Sequence, residues 1–105
     1  MELSNKKCKP CEGNILPFTE KQAKEYLKQI SGWKIKDNKI IKEVKFKNFR
    51  ENMIFVNKVA EIAEQEQHHP DLQISYNKLK ITLTTHAIKG LSENDFILAA
   101  KINIL

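Results

Sequence analysis

Residues 33–66, WKIKDNKIIKEVKFKNFRENMIFVNKVAEIAEQE, decide the fold because two short strand segments and a long helical segment follow one another directly. Asp37-Asn38 is a pair suited to a two-residue hairpin turn, so the segments on either side are predicted to be antiparallel strands. Asn48 and Glu51 then have the spacing of a capping box at a helix start. The stretch therefore predicts a hairpin followed by a helix.

A second hairpin follows this unit along the chain. Residues 72–76 and 79–85 are predicted strands, with Asn77-Lys78 as the turn between them. Side chains alternate between the two faces of a strand, so the leucines and isoleucine of the later strand are expected to face inward. By the same parity, His86 continues the outward row at the end of that strand.

Helices are predicted before, between and after the hairpins. The first runs from Thr19 to Gln29 behind a capping box, the second covers about residues 49–65, and the third begins at Ser92. This order predicts an α+β two-layer sandwich, in which a four-stranded antiparallel sheet carries three helices on one face. We expect an irregular leader at residues 1–16 and a single domain at residues 17–105.

Composition and charge disfavour several classes of protein. The net charge is +5, but the lysines are scattered and aromatic residues are not interleaved with them, so a solvated face is favoured over a nucleic-acid surface. No apolar run is long enough for a membrane helix, and no signal-peptide core is visible. We therefore expect a cytoplasmic protein with no nucleic-acid or membrane partner.

Two cysteines stand in the leader, as Cys8-Lys9-Pro10-Cys11. Two thiols alone cannot complete a four-ligand zinc site, and a redox motif of this spacing normally opens a helix after a strand. The leader is therefore interpreted as unremarkable or weakly redox-active. Its role stays open.

The long helix has a wider apolar surface than one core requires. Its apolar residues cover roughly 180° of the helix circumference, against about 100° for a helix that faces a single core. They are Phe49, Met53, Phe55, Val56, Val59, Ala60, Ile62 and Ala63. The excess predicts a homo-oligomer, a dimer or a tetramer, in which this helix meets its copy.

Two of the chain's three histidines are adjacent, in Gln67-His68-His69-Pro70. Histidine is the side chain whose unperturbed pKa lies nearest neutrality. The long helix is expected to deliver this pair to one end of the sheet, where His86 would also lie. Three imidazoles at one cleft can donate and accept protons without a cofactor.

The spacing of Glu64, His68-His69-Pro70, Tyr76, His86 and Asp95 resembles the signature of the pterin-4a-carbinolamine dehydratases. The predicted order of helices and strands is similar to that family along residues 17–105. Further similarity lies at residues 82–86 and 90–95, and in the leader at residues 8–13, which resembles that of bacterial members.

The resemblance implies a hydro-lyase that removes water from 4a-hydroxytetrahydropterin and leaves quinonoid dihydropterin. The reaction belongs to the recycling of tetrahydrobiopterin, which implies a link to an aromatic amino-acid hydroxylase. By analogy, His69 and His86 are the candidate acid and base, in an order that stays open, and His68 shapes the pocket. The substrate-contacting stretches correspond to Gln67, His68, His69, Thr84, Thr85, His86 and Ala87.

Supporting roles are expected for three neighbours of these histidines. Glu64 precedes His68 by four residues, so within a helix it would hold that ring. Asp95 is expected to orient His86 in addition to capping the last helix. Pro70 is expected to stop the long helix and fix where the pair points. Tyr76 is interpreted as a packing residue.

Two other functions compete with the enzyme. A metal site would need His68, His69, His86 and a carboxylate together, but adjacent histidines in an extended chain point in opposite directions, so no metal is expected. An interaction module would use the helix at residues 49–65, since vertebrate relatives in the resembled family serve as a dimerisation cofactor for a homeodomain transcription factor.

Overall fold

The computed structural model of the chain describes residues 2–9 and 16–105. Helices and strands follow one another in the predicted order. The helices are α1 (Glu20–Leu27), α2 (Phe49–Glu66) and α3 (Glu93–Asn103), and the strands are β1 (Lys34–Lys36), β2 (Lys39–Lys45), β3 (Asp71–Ser75) and β4 (Lys78–Leu83). Single 3-10 turns occupy Leu3–Asn5 and His86–Ile88.

The sheet has the strand order β1-β2-β4-β3, and every neighbouring pair is antiparallel. Its central strands place Ile40 opposite Leu83 and Val44 opposite Leu79. One sheet face is therefore apolar, and its buried residues join residues of all three helices in a single core cluster. The predicted α+β fold, with the helices on one face of a four-stranded antiparallel sheet, is confirmed.

Local sequence signals set most of the element boundaries. Asp37 and Asn38 both have positive φ, 51° and 60°, as a tight primed hairpin turn requires. The Thr19 side chain accepts a hydrogen bond from the backbone of Gln22, whose side chain bonds back to Thr19. At α2, Asn48 caps the helix by accepting from Glu51 N, but no reciprocal bond from the Glu51 side chain completes a box among the described residues.

The second hairpin turns one residue earlier than the sequence predicts. Ser75 pairs with Lys78, so the turn is Tyr76-Asn77. The buried Asn52 amide of α2 donates hydrogen bonds to the carbonyls of Tyr76 and Lys78, both at 2.9 Å, and fixes this turn against the helix. The prediction that Tyr76 packs is wrong, because its side chain is 65% exposed.

The leader packs onto the domain at residues 2–9. Leu3 is buried in the core, and the backbone carbonyl of Ser4 accepts a hydrogen bond from Lys101 of α3 at 3.1 Å. Cys11, the second cysteine of the leader, lies outside the described residues. Within residues 2–9 and 16–105, no helix has the length and apolar character needed to cross a membrane.

Candidate active site

The C-terminal end of α2 sets the direction of the adjacent histidines. Gln67 adopts the left-handed conformation with φ 53°. The backbone N–H of Gln67 bonds to the Glu64 carbonyl and that of His68 to the Ala63 carbonyl, which is the Schellman pattern. The prediction that Pro70 stops the helix is wrong, since the chain has already left the helix at Gln67.

His68 turns back toward α3 and contacts Asp95. Its Nε2 lies 2.6 Å from Oδ1 of Asp95, with 11% of the His68 side chain and none of the Asp95 side chain exposed. The other carboxylate oxygen of Asp95 accepts hydrogen bonds from Thr85 Oγ1 at 2.8 Å and from Ser92 N at 2.9 Å. Asp95 therefore caps α3 and orients His68 at the same time.

His69 pairs with the other predicted carboxylate and stays accessible. Its Nε2 lies 2.5 Å from Oε2 of Glu64, and 57% of its side chain is exposed. The predicted pairings, Glu64 with His68 and Asp95 with His86, are therefore wrong. The four-residue spacing brings side chains together only within a helix, and the left-handed Gln67 interrupts the helix before His68.

His86 reaches the site from a 3-10 turn rather than from a strand. Strand β4 ends at Leu83, and the chain then forms a short loop closed by the Thr85 N–H and the Gly90 carbonyl at 2.9 Å. The imidazole of His86 is exposed. Strand alternation ends at Leu83, three residues before His86, so it does not set the direction of His86, and Thr84, which belongs to the outward row by the same alternation, is buried.

These residues line one cleft of about 560 Å³. The structure brings all the predicted substrate-contacting residues into its lining, and all three histidines are among them: Gln67, His68, His69, Thr84, Thr85, His86 and Ala87. The threonines enter it through the loop that follows β4. Two accessible imidazoles and one held by a buried carboxylate therefore share a single cleft.

Sequence reasoning missed part of the lining. Cys8 and Lys9 of the leader line the same cleft, together with Gln65, Glu66 and Asn94. For Cys8 and Lys9, the available signal was the similarity of residues 8–13 to the leaders of bacterial members of the resembled family. Nothing in the local pattern of the leader indicates where it docks, because its partners are about sixty residues or more away in the chain.

Burial and charge alter the pKa of Cys8 and of Glu93, which binds the leader residue Lys6. Burial, reinforced by the nearby Glu66 carboxylate, raises the pKa of the Cys8 thiol to about 12. A hydrogen bond from the Lys6 ammonium holds the pKa of Glu93 below its ordinary value. At neutral pH the Cys8 thiol is therefore protonated, and Lys6 of the leader forms an ion pair of 2.8 Å with Glu93.

The described part of the chain contains no group of three or more histidine, cysteine, aspartate or glutamate side chains that could hold a metal ion. His68 and His69 direct Nε2 toward different carboxylates, Asp95 and Glu64.

Comparison with known proteins identifies the family. The sequence profile described as Pterin 4 alpha carbinolamine dehydratase matches residues 16–105. The chain belongs to this family. The similarity to the family therefore extends beyond the signature at the histidines to the whole of residues 16–105.

Curated bacterial relatives of this family are similar over nearly their full length. A protein of Nitrosomonas eutropha is 50% identical over 105 residues, covering 99% of this chain and 93% of the relative. One of Nitrosospira multiformis is 49% identical over 104 residues, covering 99% and 92%. Both are provisionally named pterin-4-alpha-carbinolamine dehydratase.

A solved structure supports the same relationship. The crystal structure described as a transcriptional coactivator/pterin dehydratase from Brucella melitensis has a TM-score of 0.80 and 34% sequence identity to this chain. The match covers 84% of this chain and 96% of the other. A pterin dehydratase family member thus shares both the fold and a third of the aligned residues.

Proposed function

We propose that this chain is a hydro-lyase that dehydrates 4a-hydroxytetrahydropterin to quinonoid dihydropterin and water. The observation that carries the proposal is the cleft in which all three histidines and the two threonines of the 84–85 loop lie together. Membership of the dehydratase family supports the substrate class. The physiological substrate we propose is the 4a-hydroxy form of tetrahydrobiopterin that aromatic amino-acid hydroxylases release.

The reaction requires one acid and one base. A proton donated to the C4a hydroxyl lets it leave as water, and a base removes the N5 proton as the C4a=N5 bond forms. In each turnover the acid loses one proton and the base gains one. Proton exchange with solvent then restores both groups. His69 and His86 are suited to these roles because their imidazoles are exposed in the cleft.

The carboxylate pairings define which nitrogen of His69 is available. A carboxylate only accepts hydrogen bonds, so Nε2 of His69 donates to Glu64 and carries a hydrogen. Nδ1 is then the nitrogen that exchanges a proton with a ligand. The same reasoning assigns the Nε2 hydrogen of His68 to its bond with Asp95.

His68 is suited to holding the substrate rather than to exchanging protons with solvent. Its side chain is nearly buried and lies against a carboxylate that also binds Thr85 and Ser92. This network fixes the ring, which then shapes the cleft and polarises the C4a hydroxyl. Preorganised polar groups of this kind act without reorganising during the reaction.

Stopped-flow absorbance tests this function directly. The 4a-carbinolamine would be generated by a turning-over aromatic amino-acid hydroxylase and its decay followed with and without this protein. The proposal predicts faster decay with a first-order dependence on protein concentration, and inhibition by 7,8-dihydropterin. Decay at the uncatalysed rate over all protein concentrations would reject it.

A second candidate function rests on the exposed flank of α2. Phe49 is 49% exposed, and Ala60, which points in nearly the same direction from the helix about three turns later, is exposed as well. We propose that this flank meets a second copy of the chain in a homo-oligomer. The words transcriptional coactivator in the description of the Brucella melitensis structure favour testing a foreign partner too.

The two uses of the flank differ in stoichiometry. Light scattering of the purified protein is expected to give a dimer or tetramer. A monomer that forms a stoichiometric complex only with a different protein would favour the interaction module over the homo-oligomer.

A further inference from the structure

The leader forms part of the histidine cleft through segment Lys6–Lys9, which we name the leader strap. Cys8 and Lys9 line the cleft beside the histidines. The strap is tied to the ends of both elements that carry the site. Cys8 N–H donates to Glu66 Oε1 at 2.8 Å, at the last residue of α2, and the Lys6 ammonium bonds Glu93 in the first turn of α3.

Asn94 holds the strap by its backbone. The Asn94 side chain accepts a hydrogen bond from Lys9 N at 2.9 Å and donates one to the Lys9 carbonyl at 2.5 Å. Asn94 directly precedes Asp95, and Glu66 lies two residues before His68. The strap is therefore bound immediately beside the two members of the His68–Asp95 pair.

Lys9 differs in charge from the rest of the lining. Among the described residues that line the cleft, it is the one lysine or arginine, and its side chain is exposed. The backbone of Lys9 is held by Asn94 on both its N–H and its carbonyl, so the ammonium is presented from an anchored position. An ammonium offers only hydrogen-bond donors, so it recognises a ligand atom that accepts.

We propose that the leader strap is a wall of the ligand site and that Lys9 helps to bind the pterin by donating a hydrogen bond to one of its acceptor atoms. The inference rests on the proposed function for the identity of the ligand. A pterin ring carries such an acceptor in its C4 carbonyl oxygen, adjacent to the reacting C4a. Cys8 lies beside Lys9 in the lining of the cleft and contributes to the shape of this wall.

Equilibrium binding of 7,8-dihydropterin, followed by fluorescence, tests the Lys9 contact. Lys9→Met keeps the length of the side chain without its charge, and we expect its Kd to rise about tenfold, as for a lost hydrogen bond to a charged group. Lys9→Arg keeps the donor and is expected to retain most of the affinity. Lys7→Met, an equal loss of charge at an exposed residue outside the cleft lining, is the matched control.

Steady-state kinetics separates ligand contact from a merely structural role. Lys9→Met is expected to raise KM for the carbinolamine with kcat unchanged, because the contact is present in both the ground state and the transition state. Equal Kd and KM in Lys9→Met and wild-type protein would overturn the assignment of Lys9.

A labelling experiment tests the wall without altering Lys9. Deuterium exchange at the backbone amides of Cys8 and Lys9 is expected to slow when 7,8-dihydropterin saturates the protein. Saturation without protection would overturn the placement of the strap at the ligand. If wild-type protein does not bind 7,8-dihydropterin at all, the proposed function is overturned as well. Binding without protection overturns only the placement of the strap.

Discussion

Nε2 of His68 lies 2.6 Å from Oδ1 of Asp95 and so joins the end of α2 to the first turn of α3. Asp95 is fully buried and also binds Thr85 and Ser92. One carboxylate thus serves helix capping, loop anchoring and orientation of a cleft residue. Its removal should affect both stability and activity.

Asp95→Ala is expected to lower the free energy of unfolding by about 3 kcal/mol, because it leaves buried donors of His68, Thr85 and Ser92 without their acceptor. Urea denaturation at pH 7 measures this change. Asp71→Ala, at an exposed carboxylate at the start of β3, is the control and should cost no more than about 0.5 kcal/mol. Equal costs in the two variants would contradict the network.

Glu64→Ala tests the orientation of His69. Both side chains of this pair are mostly exposed, so the change should cost under about 1 kcal/mol of stability. Loss of the partner frees the His69 ring, and kcat for dehydration is expected to fall about tenfold. Glu61→Ala, one turn earlier on α2 and exposed, should leave kcat unchanged. An unchanged kcat in Glu64→Ala would show that the pair does not serve the reaction.

Sequence reasoning succeeded where the determinants are local. The turn at Asp37-Asn38 depends on residues that accept positive φ, and the start of α1 depends on Thr19 and Gln22. Both signals are complete within four residues. The second turn was placed one residue late because Asn52, from α2, fixes Tyr76-Asn77 through tertiary hydrogen bonds.

The site was predicted as a set of residues but not as a set of contacts. The pairing of Glu64 with His68 assumed a helix that Gln67 interrupts, and no signal marks glutamine as a left-handed residue. The His68–Asp95 contact spans 27 residues, so it depends on how α2 and α3 pack. Docking of Cys8 and Lys9 is non-local in the same way.

Titration of the Cys8 thiol is expected to make the stability of the protein depend on pH in the alkaline range. Burial raises the pKa of this thiol to about 12, whereas the same thiol in an unfolded chain titrates near 9.0. Because the thiol has a higher pKa in the folded state than in the unfolded state, it contributes to the free energy of unfolding. This contribution is fully present below pH 9 and is lost as pH rises from 9 toward 12. Cys8→Ala should therefore lose stability less steeply over that range than wild-type protein, as chemical denaturation at several pH values would show. Parallel curves would contradict this linkage.

Phe49→Ser tests the homo-oligomer proposed for α2. Removing an apolar ring from the exposed flank should weaken the association, so the mass from multi-angle light scattering is expected to decrease at low protein concentration. Tyr76→Ser removes a comparably exposed ring at the second hairpin turn and is the matched control. If both variants keep the wild-type mass, the flank is not the interface.

Proton transfer by His69 and His86 is the central claim, and the dehydration rate of the single variants His69→Ala and His86→Ala measures it most directly. Both rings are exposed, so each variant should unfold at the wild-type denaturant concentration, as should the exposed control Gln73→Ala. Stopped-flow decay of the 4a-carbinolamine is expected to slow by about 10²–10⁴-fold in each histidine variant and to stay unchanged in the control. Wild-type rates in both histidine variants would contradict the account.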